Sequence, residues 1–239
     1  MVFHTLVGSA YAYKVASNNQ MVMCYFGEGA ASEGDSGVSF NFAATLRCPV
    51  VFFCRNNGYA ISTPANEQYG GDGVAGVALG HGLHSIRVDG NDVFAVYAAT
   101  LAGRRLALEG KPCLIEAITY RVGHHSTSDD STSYRSKLFS KSEEVQFWTT
   151  YMNPRMRLKK YLMAQNLLTE EDEKNMVKAV TEEIMKALAS GEKKMKPSIK
   201  SMLSDVYEEA TPRLKMQEET LEQHLKLYED FYPTKKLFA

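Results

Sequence analysis

Two short apolar runs, residues 21–26 (MVMCYF) and 50–54 (VVFFC), each end abruptly in polar, glycine-containing sequence. The first gives way to Gly27-Glu28-Gly29 and the second to Arg55-Asn56-Asn57-Gly58. Runs this short, rich in Val and Phe and closed by turn residues, read as buried strands. Between them Val38, Phe42 and Leu46 recur four apart, the spacing of a helical stripe over residues 35–46, and Pro49 stops it. The order strand, turn, helix, strand, turn makes the two strands parallel neighbours. Glu28 and Asn57 then stand at the same edge of one sheet, the carboxyl edge where open α/β sheets bind ligands.

The residue types at that edge define a chemistry. Glu28 offers a carboxylate, Asn57 an amide oxygen, and the following loop can turn a backbone carbonyl inward. These are hard oxygen ligands, too few to enclose a cation, which suits Mg²⁺ sharing its shell with phosphate oxygens and water. Glycines beside Glu28 allow backbone N–H groups to approach an anion, and the next helix adds its positive end. Arg55 can fork a phosphate oxygen. The expected ligand is a Mg²⁺-bound diphosphate.

Further strands are predicted at residues 84–88 (HSIRV) and 113–119 (CLIEAIT), with helices at 8–15, 74–83 and 93–108, the last with Val93, Val96, Tyr97, Leu101 and Leu108 on one apolar face. Asp92 is placed to cap the last of these, and Gly110 and Pro112 to end it. This order predicts a doubly wound, mostly parallel α/β sheet. Two readings stand for Glu116 inside its apolar run: a paired or edge carboxylate, or a member of the site, since an unpaired one would be costly. Residues 58–73, rich in Gly, Pro, Ser and Asn, read as an ordered loop over the site. Residues 120–137 (YRVGHHSTSDDSTSYRSK) carry five serines, two threonines and two adjacent aspartates without hydrophobic periodicity. They read as a flexible surface loop leaving a strand at the cofactor edge. His124 and His125 there are either solvated or proton carriers, and Asp129-Asp130 either turn formers or functional.

From residue 142 the chain turns charged and Met-rich, with helices expected from Pro154, from a capping-box-like Thr169-Glu170-Glu171-Asp172, and over 211–228. The expected division is an α/β domain over 1–141, including the loop 120–137, and a helical extension over 142–239 that makes subunit contacts. Its apolar stripes and aromatic tail have little sheet of their own to cover.

The ordered set GEGAASEGD, FNFAATL, FFCRNNGYAISTP, RVDGNDVFAVY, LIEAITYRVGHHSTSDDSTSYRS and SDVY covers nearly the whole chain. The Gly-acid-Gly turn followed one βαβ unit later by Asn-Asn resembles the thiamine-diphosphate signature. The wording around it is similar to the alpha subunits of branched-chain 2-oxo acid dehydrogenases; Glu28, where the wider superfamily has Asp, is a substitution of that subfamily. The resemblance implies a thiamine-diphosphate-binding fold with Mg²⁺ held by Glu28, Asn57 and the Tyr59 carbonyl. Gly29, Ala30 and Arg55 would hold diphosphate, Ile61 would contact the cofactor, and His125 would be its catalytic neighbour in acyl transfer. Ser126 and Ser136 fall at the family's inhibitory phosphorylation sites, where a phosphate would add about −1.5 to −2 charge beside the diphosphate and bring a regulatory kinase and phosphatase.

The implied reaction is oxidative decarboxylation of branched-chain 2-oxo acids with acyl transfer to lipoyllysine. The implied assembly is an α₂β₂ heterotetramer, the beta subunit completing the site, docked on a lipoyl-bearing acyltransferase core. The setting would be the mitochondrial matrix in a eukaryote or the cytoplasm in a bacterium. The family carries a substantial segment before this chain's start, with further diphosphate contacts, potassium-site residues and any presequence, so an N-terminally shortened form is expected. Two rivals accompany this reading. A pyruvate dehydrogenase alpha subunit would typically show HGHS and then SDP where HHSTSDD stands, and a shortened non-catalytic subunit would bind the beta chain without turnover. An NAD-binding domain is disfavoured, since Ser32 stands where a third glycine is wanted and Arg55 where an acid should meet the ribose.

Composition narrows the remaining classes. With 239 residues the chain can bury a sizeable core. A formal net charge of −1 gives nothing to steer it to nucleic acid. No apolar run approaches the roughly 20 residues of a membrane span. The four cysteines, Cys24, Cys48, Cys54 and Cys113, lack paired metal spacing and read as buried thiols.

Overall fold

The computed structural model describes residues 2–135, 143–199 and 201–232. Helix α1 (Val2–Ala16) leads into strand β1 (Val22–Gly27), a single turn α2 (Glu28–Ala31), helix α3 (Gly34–Thr45) and strand β2 (Val50–Asn56). A small hairpin, β3 (Tyr59–Ala60) and β4 (Thr63–Pro64), is followed by α4 (Ala65–Gln68) and α5 (Gly73–Gly80). Strand β5 (His84–Asp89), helix α6 (Val93–Leu108) and strand β6 (Cys113–Ile118) complete the sheet. Its order is β1-β2-β6-β5, and all three pairings are parallel. The chain is an α/β fold with a four-stranded parallel sheet.

Strands β2 and β6 are flanked on both sides, so their residues are apolar in succession rather than alternating. Val50, Val51, Phe52, Leu114 and Ile115 are all without solvent exposure. On one face Phe40 meets Phe52 edge-on at 4.9 Å and Phe3 meets Phe26 at the same distance, bringing α1 and α3 onto the strands. Val74, Ala75 and Ala78 of α5 join that core, while α6 covers the opposite face through Ala99 and Ala107 beside Val51 and Ile115. A Cβ at Gly103 would stand 3.1 Å from Ile115 Cδ1, so α6 lies on the sheet at a distance that only small residues allow.

The faces of two helices differ from the sequence expectation. In α3, Val38 and Phe42 are about half exposed, while Ser36, Ser39, Phe40 and Ala43 face inward. In α6, Val93 and Tyr97 point outward, while Ala99, Gly103 and Ala107 pack on the strands. In α6 close approach to the sheet selects small residues for the inner face and displaces larger ones outward, whereas α3 sets one large side chain, Phe40, among Ser36, Ser39 and Ala43. The four-residue spacing therefore identified each helix but not its buried side.

The segment 58–73 also differs from the expected loop. It forms the β3–β4 hairpin and α4, elements of two to four residues that are too short to leave a periodic signal. The compact units divide after Leu167 rather than at 141/142: one is Met1–Leu167, the other Leu168–Ala239. Helices α7 (Glu143–Gln146) and α8 (Pro154–Ala164) belong to the first unit. Arg157 of α8 donates to Asp89 at 2.7 Å and Asp92 at 3.1 Å, and Tyr161 meets Phe94 edge-on at 4.8 Å. Long-range ion pairs of this kind have no signature in local composition.

The second unit holds α9 (Glu170–Glu192), α10 (Ser201–Ser204) and α11 (Pro212–Leu227). The capping box at Thr169 and Asp172 is formed, and Thr211 caps α11 through Leu214 N. Met176, Val180, Ile184 and Leu188 run along α9 at intervals of four and are about half exposed or more.

All four thiols are buried and free. Burial pushes Cys24 and Cys113 up to about 11, and pushes Cys54 further still, with the carboxylates of Glu116 and Glu28 adding to it. The thiolate is the reactive form, so an aromatic disulfide reagent at pH 8 is expected to find no fast thiol in the native chain and all four after unfolding. Phe40→Ala is expected to cost about 3–5 kcal/mol in denaturant unfolding, the usual range for emptying an aromatic core position.

Candidate functional site

The register Gly27↔Arg55 sets the end of β1 beside the end of β2. Glu28, the first residue of α2, is 1% exposed, and its Oε2 accepts the Asn57 backbone N–H at 3.0 Å. Its Oε1 is buried with no hydrogen-bond partner among the described residues. An ionised oxygen left in that state costs several kcal/mol unless a cation meets it. Among the described residues no three His, Cys, Asp or Glu side chains converge on a metal position. A cation at Glu28 must then draw on amide, carbonyl and ligand oxygens, the donor set that Mg²⁺ accepts. The residues present fit the expected group.

The turn that carries Asn57 is tightly held. Asn56 Oδ1 accepts Gly58 N at 3.1 Å, and Asn57 Oδ1 accepts Tyr59 N at 3.2 Å. Gly58 lies at φ +84°, a conformation that glycine adopts without strain. Ile61 lies at φ +52°, unfavourable for a β-branched residue, and its carbonyl is held by Arg121 Nη2. Gly29, next to Glu28, also has a packing role that local sequence does not reveal. Gly29 is inside α2, and a Cβ there would come within 2.8 Å of the Ala60 Cβ, so its absence lets the hairpin close over the turn. Ala30 follows in the same helical turn, whose first N–H groups lack intrahelical acceptors.

An open cavity of about 600 Å³ lies at this edge. Glu28, Gly29, Ala30, Arg55, Asn57, Tyr59, Ile61 and His125 all line it. Every residue expected to bind cofactor or metal thus lines one space. Arg55 is exposed at its rim, and His124 and Arg121 line it too. Ser126 follows His125 in an exposed stretch, its Oγ 3.2 Å from that of Ser128. Ser136 lies outside the described residues.

Residues 120–135, expected to be a flexible loop, are bound into a polar and aromatic network. Asp129 Oδ2 accepts the His125 N–H at 2.8 Å and the Tyr134 hydroxyl at 2.7 Å. Tyr134 Oη in turn accepts from Arg121 Nη2 at 2.8 Å. Asp130 accepts from Thr132 N and Thr132 Oγ1, so both aspartates build turns. The His124 Nδ1 accepts the Ser131 N–H at 3.0 Å, which leaves the proton of a neutral ring on Nε2. Arg135, 6% exposed, lies 4.1 Å above the Tyr59 ring, and Trp148 stacks on Tyr120 at 5.5 Å with the planes 7° apart. Arg121 and Arg135 are the residues that sequence reasoning missed. The available signal was position: Arg121 comes three residues after β6, at the same carboxyl edge as Glu28 and Asn57. Its Nε and Nη1 are buried without a hydrogen-bond partner among the described residues, and the residue lines the cavity.

The His125 N–H and the Tyr134 hydroxyl hold Asp129 below the usual carboxylate range, and Thr132 does the same for Asp130. A carboxylate with a lowered folded pKa supports the folded loop above its ordinary value of about 3.9, and that support is lost as pH falls through the lowered value. Limited proteolysis within residues 121–135 is expected to stay flat from neutral pH to about 5 and to rise below about 4. Asp129→Asn is expected to give several-fold faster cleavage at pH 7.

A family model described as "Dehydrogenase E1 component" matches residues 2–200. The chain is 55% identical over 228 residues to the mitochondrial 2-oxoisovalerate dehydrogenase subunit alpha of Mus musculus, covering 95% of this chain and 50% of that protein. The subunit of Homo sapiens is likewise 55% identical with the same coverage. That of Caenorhabditis elegans is 53% identical, with 95% of this chain and 52% of the relative covered. The chain spans about half the length of the curated relatives it matches. The sheet order, the paired ends of β1 and β2 and these matches agree, and the chain belongs to the dehydrogenase E1 component family.

Proposed function

We propose that this chain supplies the alpha-subunit half of a thiamine-diphosphate site for oxidative decarboxylation of branched-chain 2-oxo acids, with acyl transfer to lipoyllysine. The observation that carries the reading is the buried Glu28 carboxylate, one oxygen fixed by the Asn57 N–H and the other without a donor among the described residues. Glu28, the Asn57 amide and the Tyr59 carbonyl would hold Mg²⁺. Arg55 and the N–H groups of Gly29 and Ala30 would take the diphosphate, with Ile61 against the cofactor. Thiamine diphosphate, when bound, supplies the electron sink for the carbanion that remains after loss of CO₂. His125, fixed at its backbone by Asp129, would hold or release a proton on its imidazole during acyl transfer.

The relatives' name, 2-oxoisovalerate dehydrogenase, favours a branched-chain substrate over pyruvate. The assembly would be an α₂β₂ heterotetramer serving a lipoyl-bearing acyltransferase core, in the mitochondrial matrix of a eukaryotic source or in the cytoplasm of a bacterial one. The half-exposed stripe on α9 and the outward Val38, Phe42 and Tyr97 are apolar surfaces that subunit contact would remove from water. Among the described residues no helix is long and apolar enough to cross a membrane. A kinase would act at Ser126, and at Ser136, because a phosphate of about −1.5 to −2 charge beside His125 would repel the cofactor's own diphosphate.

Calorimetric titration of thiamine diphosphate with Mg²⁺ into this chain, co-expressed with a beta partner, tests the reading. Saturable binding is expected, and Glu28→Ala is expected to weaken it by at least about 100-fold, beyond the loss seen for outer-shell partners. Equal affinity in the two proteins would remove Glu28 from the site. Turnover should follow with 2-oxoisovalerate and be poor with pyruvate; the reverse preference would move the chain to the pyruvate branch, and binding without turnover to an assembly role.

A further inference from the structure

Glu116 is a second carboxylate toward the same end of the sheet, fully buried and two residues before the last of β6. It is paired rather than orphaned, and each partner is a donor. Oε1 accepts Asn56 Nδ2 at 2.9 Å and Val74 N at 3.1 Å. Oε2 accepts Ala75 N at 3.1 Å and Arg87 Nε at 3.0 Å. Arg87 Nη1 also donates to both oxygens of the Asp72 carboxylate, at 3.0 and 3.1 Å, which ties the residue before α5 to the same cluster. Four donors around one side chain specify a group that only accepts. A glutamine would set its NH₂ against two of them whichever way it was turned.

The consequence lies one residue from the candidate cofactor site. An asparagine amide has two orientations, and Glu116 selects between them for Asn56. Its Nδ2 must face the carboxylate, where it also donates to the Tyr69 hydroxyl at 3.1 Å. Its Oδ1 then faces the opposite way and accepts Gly58 N at 3.1 Å. Turned over, the amide would put a carbonyl against a carboxylate and an NH₂ against the Gly58 N–H. Gly58 is the pivot of the turn between Asn57 and Tyr59, and its carbonyl accepts Ala65 N at 2.9 Å to hold α4. Gly73 sits directly against Glu116: a Cβ there would be 2.7 Å from Oε1, so the start of α5 can reach the carboxylate only as glycine.

We propose that Glu116 is a positioning residue that fixes the 57–59 turn through the Asn56 amide, and so presets the oxygens that face the cation. The cation itself rests on the reading above; the positioning of the turn does not. Outer-shell partners of this kind are worth about 10–100-fold in metal affinity.

The test uses this chain with its beta partner and has two readouts: Mg²⁺-dependent thiamine diphosphate affinity, and amide hydrogen exchange at residues 57–59 without ligand. Glu116→Gln and Asn56→Asp are each expected to speed exchange at these amides and to weaken affinity by about 10–100-fold. The paired variant Glu116→Gln/Asn56→Asp moves the charge across and restores a donor–acceptor match between the two side chains. It is expected to recover part of both losses, which a general loss of stability would not produce. Should Glu116→Gln not fold, Asn56→Ala takes its place, since it leaves Val74, Ala75 and Arg87 on the carboxylate. Wild-type exchange at 57–59 in the single variants would overturn the proposal, as would losses that simply multiply in the pair. Equal binding by wild type and Glu28→Ala, with exchange still responding to Glu116, would remove the cation reading and leave the positioning of the turn standing.

Discussion

Two carboxylates buried at the carboxyl end of one parallel sheet shape much of what surrounds them. Burying a charge is costly unless donors or a cation meet it, and the chain meets the two charges differently. Glu116 takes four donors from β2, β5 and the start of α5, so the sheet's middle and that helix are tied to one point. Glu28 takes one donor and keeps an oxygen in hand. The first arrangement organises structure; the second leaves an acceptor for the cation proposed above. Asn56 and Asn57, adjacent on one strand end, connect them.

The loop over the cavity follows the same principle of satisfied polar groups. Serines, threonines and aspartates without apolar periodicity would leave a segment disordered if they bonded only to water. Here Asp129, Tyr134, Arg121 and the His125 N–H close on one another, and Arg135 lies over Tyr59. The loop is consequently coupled to the hairpin that carries Tyr59 and Ile61. A charge introduced at Ser126 would enter at the edge of that network, next to the cavity.

Much of the site was legible because its residues sit at strand ends, and strand ends are visible as the places where apolar runs stop. Glu28, Arg55 and Asn57 were found that way, and the structure sets them around one cavity. Arg121 and Arg135 were not, since a guanidinium in a polar loop carries no pattern until its partners are known. The close approach at Gly29 was hidden for a related reason: the atom that leaves no room for a Cβ belongs to Ala60, in the hairpin beyond β2. The stripes of α3 and α6 located both helices and misassigned their inner faces, because Ala, Gly and Ser leave little hydrophobic signal where close packing needs them most.

The sequence by itself determined the strands of the main sheet, their order along the chain and the parallel pairing that a crossover imposes, because hydrophobic period and turn chemistry are local. It also determined which residues end the strands, and so which functional groups could meet. Tertiary structure alone decided that β6 enters between β2 and β5, that Glu116 faces Asn56, and that α8 joins the first unit through Arg157. Those choices depend on donors and acceptors far apart in the chain. Their energies come from burial and desolvation, which exist only once the surfaces have come together.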